Sequence, residues 1–142
     1  MQPIAEGGKM QLAHSGTIVV AIHAIIFLVH SLAHQNIPVP LSAAQSLFVG
    51  LIIVLMSIVA AILLWTPLSS IGRWLFLGSM AGGLLFGIYN HFIVISPDHI
   101  SQISFAGWGL IFQATAVLLL ITKGIGSGVG LWALSTTWQK AL

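Results

Sequence analysis

His23-Ala-Ile-Ile-Phe-Leu-Val-His30-Ser-Leu-Ala-His34 decides how the chain is read, because it puts three imidazoles into an apolar run long enough to cross a bilayer. The spacings are seven and four residues. On a helix of 3.6 residues per turn the three rings fall within roughly 40° of one another. A one-sided histidine stripe in hydrocarbon is costly unless it faces protein, water or a ligand. The stripe therefore predicts a helix that turns one polar face into a bundle.

Composition agrees. The 142 residues are 58% hydrophobic and only 4% charged, with a mean hydropathy of +1.08. A soluble surface needs far more charge, so the solvent to reason with is lipid. The charged residues are Glu6, Lys9, Arg73, Asp98, Lys123 and Lys140. They form no basic patch, which argues against a nucleic-acid partner. The absence of cysteine removes disulfides, thiolate ligands and covalently attached haem together. Two carboxylates in the whole chain exclude a self-contained di-iron carboxylate site, which draws about four Glu from the bundle. No nucleophile–base pair is visible, and Asp98 is the only acid or base beside the histidines, so catalysis finds no support.

Outward from the stripe, the chain predicts an all-α integral membrane fold, a four-transmembrane-helix bundle forming one domain over residues 1–142. The spans are about 15–34, 42–65, 72–96 and 102–122, each near the ~20 residues that cross ~30 Å of hydrocarbon. Pro38 and Pro40 break the first helix, Pro67 the second and Pro97 the third. Ser42 is placed to cap the second. Residues 1–14 read as a polar tail. Beyond the glycines at 124, 126, 128 and 130, a short amphipathic run with Leu131, Leu134 and Trp138 predicts an interfacial helix at about 130–141, anchored by Trp132 and Trp138. Lys9, Arg73 and Lys123 flank one side and no Lys or Arg occurs in the first and third turns. The positive-inside rule then puts both termini in the cytoplasm and the histidine-rich side outside, in an inner or plasma membrane. Ile18–Val29 before Ser31-Leu32-Ala33 also resembles a signal-peptide core and cleavage site, although His23 does not belong in one.

Counting 1.5 Å per residue from Gln35 and Pro97, His30 and His91 lie at matched depth, roughly 8–9 Å below the outer boundary. His34, Asp98 and His99 fall at the rim, and His23 lies about 18 Å in. His30, His34, His91, His99 and Asp98 are thus the candidate metal ligands. His30 and His34 at i, i+4 make a chelating pair, and copper, zinc or iron all suit imidazole. A non-covalent haem b between His30 and His91 is the other form of this reading. In the surrounding pocket, Tyr89 and Asn90 are placed to orient His91, and Gly83 and Gly87 make a lane leading to it. That lane either leaves room for a flat cofactor or lets helices approach closely. His23 serves an interhelical hydrogen bond or a proton path. Two other functions compete with a metal or haem protein of a redox complex. One is a non-catalytic accessory subunit, or a homo-oligomer, whose polar residues serve docking. The other is a proton or cation transporter with titrating histidines.

Overall fold

A computed structural model describes residues 3–138 of the chain. Every regular element among them is helical. Four helices are long and apolar enough to cross a membrane. They are α1 (Pro3–Asn36), α2 (Ala43–Leu64), α3 (Ser69–Ile93) and α4 (Trp108–Trp138). Ser42 caps α2 through a reciprocal pair of bonds with Gln45, as its position predicts. Two stretches widen into π geometry, Val49–Leu55 within α2 and Tyr89–Ile93 at the end of α3. Such wide turns re-aim side chains relative to a regular α-helix.

Short loops make neighbours antiparallel. α1 packs against α2 and α4, and α3 against α2 and α4, so α1 and α3 face each other diagonally across the bundle axis. The two ends of the bundle differ. At the end that carries the chain termini, Leu12, Ala13, Val20, Ala60, Leu64, Phe76, Met80 and Ala133 form a packed apolar core. At the distal end the interior is polar and hollow. The outward faces carry large apolar side chains such as Ile18, Ile25, Leu28 and Leu32 of α1.

Four expectations change. Residues 3–14 are not a tail but the first turns of α1, because Leu12 and Ala13 are buried in the core. The first span is correspondingly longer than 15–34. α4 begins at Trp108 rather than 102, after a 3-10 turn (Ile100–Gln102) and Gly107, whose φ of 54° is the left-handed conformation glycine tolerates. Nor does α4 stop at residue 122. It runs on through the glycines, so the separate interfacial helix at 130–141 is absent over its described part, and residues 139–142 and the Trp138 side chain lie outside the description. The reason is packing. A methyl group at Gly126 would sit 2.7 Å from Met80 Sδ, and one at Gly130 would sit 3.1 Å from Leu77 Cβ. These glycines let α4 lie close on α3, and that contact outweighs their weak helix propensity. Finally, Lys123 does not lie at a helix end. It lies near the midpoint of α4 with 2% of its surface exposed. It drops out of the charge argument for orientation.

Candidate functional site

The α1–α4 contact sets the site. His30 Nδ1 lies 2.9 Å from Thr115 Oγ1, and His23 Nδ1 lies 3.4 Å from Thr122 Oγ1. Each seven-residue step along α1 is matched by a seven-residue step back along α4, as an antiparallel pair in heptad register demands. The His23–Thr122 contact is the long one of the two and joins α1 to α4. Thr115 directs its hydroxyl proton to its own helix, at the Ile111 and Phe112 carbonyls (2.7 and 3.0 Å). The proton between Thr115 and His30 must then sit on His30 Nδ1, which leaves Nε2 with a lone pair.

The same tautomer recurs. His91 Nδ1 donates to the Asp98 main-chain carbonyl at 3.0 Å, and His34 Nδ1 to the Val39 carbonyl at 3.3 Å. The three rings meet at the distal end. Ring centres are 5.0 Å apart for His30–His34, 5.3 Å for His30–His91 and 6.4 Å for His34–His91. Phe112 of α4, fully buried, forms their common floor, with its centre 4.6–5.4 Å from each. His30 and His91 therefore meet as their matched depths predict, but across the bundle axis rather than at an α1–α3 interface.

Asp98 closes the cluster from the α3–α4 loop. Its side chain is buried, and neither carboxylate oxygen accepts a hydrogen bond within the fold. Two imidazole nitrogens approach Oδ1, His34 Nε2 at 3.3 Å and His91 Nδ1 at 3.4 Å. Among the described residues no three His, Asp or Glu side chains already surround one point as a metal site would.

Three predicted neighbours do other work. His99 is not brought to the cluster. Its Nδ1 accepts from the Ser101 amide at 3.2 Å and caps the 3-10 turn. Tyr89 does not orient His91, being 57% exposed on the outside of α3. Asn90 instead ties α3 to α2, accepting from Gln45 Nε2 at 2.9 Å while donating to the Phe86 carbonyl. The orienting group for His91 is the Asp98 backbone.

Below the cluster lies a cavity of about 240 Å³ lined by His23, His30, His34, His91, Asp98 and Lys123 among apolar walls. The glycine lane runs along it but is filled. A methyl at Gly83 would lie 2.7 Å from Lys123 Cε, and one at Gly87 2.9 Å from Leu120 Cδ2. The lane serves close α3–α4 packing. The cavity is below the ~300–1,000 Å³ of drug-sized ligand pockets. Lys123 is the residue that the sequence reading missed. Its place at a span's apparent end concealed it, and only the continuation of α4 through the glycines moves it to mid-span. Comparison of the chain with protein-family models, curated proteins and solved structures finds no match.

Proposed function

We propose that this multi-pass membrane protein binds one transition-metal ion in its distal end through the Nε2 atoms of His30, His34 and His91, with Asp98 supplying negative charge. One observation carries the reading: the cluster offers acceptors only. Nδ1 of His30 is held to the Thr115 hydroxyl oxygen and Nδ1 of His34 and His91 to the Val39 and Asp98 main-chain carbonyls, which leaves the Nε2 lone pairs of three adjoining rings and two unpartnered Asp98 oxygens as acceptors. Acceptors without donors call for a cation. Fixing the far ring nitrogen to an oxygen is also how proteins hold a metal-ligating histidine in its tautomer and orientation.

The ring spacings suit three ligands better than an axial pair. Three imidazoles in tetrahedral positions at ~2.0–2.1 Å from one ion have ring centres about 5 Å apart. Two of the three pairs stand at 5.0 and 5.3 Å, so closing the site needs His34 and His91 to draw together by about 1 Å. Two imidazoles on opposite faces of a haem iron would stand about 6 Å apart, so His30 and His91 at 5.3 Å would have to separate for that ligation and leave His34 without a role. Copper, zinc and iron remain the candidate ions. With Lys9 and Arg73 near the terminal end, the positive-inside rule puts that end in the cytoplasm and the ion site on the outside.

The test is metal analysis of detergent-purified protein after loading with copper, zinc or iron(II). One equivalent is expected, lost in His30→Ala and His91→Ala variants that keep their helix content. Folded wild-type protein that takes up none of the three ions overturns the reading. A proton is the second occupant worth naming, because His34 Nε2 at 3.3 Å from Asp98 Oδ1 is placed to carry one. Nitrogen NMR of the His34 ring separates imidazolium from a metal-bound neutral ring.

A further inference from the structure

At the other end of the cavity from Asp98, the chemistry reverses. We propose that Lys123 forms a second, anion-selective site, which binds the carboxylate of a small and otherwise apolar acid. Lys123 lies near the middle of α4 and is 2% exposed, beside Thr122, which meets His23. Its ammonium has three N–H groups. Among the described residues its one hydrogen bond is a long one, Nζ to the Ser79 carbonyl at 3.4 Å. No carboxylate pairs with it there. Asp98, the carboxylate whose side chain is described, sits level with His34, eleven residues or ~16 Å along α1 from His23. A buried ammonium without a counter-charge is costly in a membrane interior, and such groups mark binding sites or paths.

Two further observations point into the cavity. His23 Nε2 is buried and has no hydrogen-bond partner, on a side chain 4% exposed that lines the same wall as Lys123; a carboxylate bound there takes its proton in the Nε2–H tautomer, which the long 3.4 Å contact of Nδ1 with Thr122 leaves open. Gly83 holds open the space in which the lysine stem lies, 2.7 Å from where a Cβ would be. The rest of the inner wall is Phe27, Ile53, Phe86, Leu119 and Leu120, which suits an alkyl or aryl body and not a sugar or a phosphate ester. The volume of about 240 Å³ limits that body to a short chain or a single ring. The packed core of Leu64, Phe76 and Met80 lies on the terminal side, so entry is from the distal end, past the histidine cluster. This site uses none of the three Nε2 ligands and stands or falls separately from the metal reading.

Hexanoate is the probe. Titrated calorimetrically into the detergent-purified full chain, it should bind saturably, with the isosteric hexanamide at least about tenfold weaker, because a charge-assisted contact is what Lys123 adds. Lys123→Met, which keeps the stem and removes the charge, should abolish the difference, while Gly78→Ala, on the open face of α3 and outside the cavity, leaves it in place. Equal affinity for hexanoate and hexanamide in wild-type protein, no saturable binding of either, or hexanoate binding retained by Lys123→Met each overturns the proposal. The acid–amide comparison needs no variant, so it decides the matter even if Lys123→Met does not fold.

Discussion

The two His–Thr bridges of the α1–α4 seam make a controlled comparison. Valine has the shape of threonine, and at 115 and 122 it removes the same hydroxyl bond to the helix's own carbonyls, Ile111 and Phe112 in one case and Leu118 and Leu119 in the other. What differs is the bridge. Both histidines are buried, but the His30 bridge spans 2.9 Å, inside the usual N–H···O range, whereas His23–Thr122 at 3.4 Å lies beyond it. Side-chain bonds between membrane helices average ~0.6 kcal/mol and reach ~1.7. Thr115→Val should therefore cost about 1–1.7 kcal/mol and Thr122→Val about 0.6 or less. The difference, near 1 kcal/mol, is about fivefold in the unfolding equilibrium. Unfolding in mixed micelles followed by circular dichroism measures both, and a cycle with His30→Phe isolates the pair, with an expected coupling of at least ~0.5 kcal/mol. A Thr122→Val loss as large as that of Thr115→Val, or additive behaviour in the cycle, would refute the tautomer assignment on which the acceptor-only cluster depends.

Three further outcomes follow from the same geometry. Asp98→Asn keeps the shape of the loop and removes the charge, so ion affinity by metal titration should fall by roughly 10–100-fold; an unchanged affinity removes Asp98 from the site. Phe112→Ala takes away a fully buried ring touching all three imidazoles and should cost about 3–5 kcal/mol in the same unfolding assay, with ion binding weakened in parallel. The glycines of α3 should split: Gly78→Ala, with nothing within 4 Å of the new methyl, should stabilise by about 0.5–1 kcal/mol through helix propensity, while Gly83→Ala, pressed on Lys123, should destabilise by about 1–3 kcal/mol; equal effects would show that Gly83 is not a contact.

How much was legible in the sequence depends on the kind of signal. Periodicity and breakers act locally, so the four helices, the cap at Ser42 and the ends near Asn36 and Trp65 could be read directly. Matched depth was also readable, since it needs only a rise per residue, and it brought His30 and His91 together. The roles of Tyr89 and Asn90 were not. Adjacency in sequence suggested that they orient His91, but the π turn at Tyr89–Ile93 sets the directions, and a π turn has no simple sequence mark. His99 was assigned to the site from its position in the loop. Its actual bond, to an amide two residues on, is a choice between local partners that composition does not reveal.

Lys123 is where two sound rules conflict. A lysine before a glycine-rich run reads as a span's end, since glycine is a poor helix former in water. In a bundle within lipid, small residues allow close helix approach, and the backbone has every reason to stay hydrogen-bonded. Gly126 and Gly130 meeting Met80 and Leu77 show the second rule at work, and with it the helix continues. Once it does, a cation that snorkelling would have explained away sits against Gly83 in mid-span, level with the unpartnered nitrogen of His23. The interior then has a direction, with acceptors at the distal end and an ammonium at its centre. A cation bound at the cluster offsets the charge of Asp98 at the mouth of the cavity, so the two sites should favour each other's occupancy. Hexanoate affinity that rises when zinc is present, and does so in wild-type protein but not in Asp98→Asn, is the signature of that coupling.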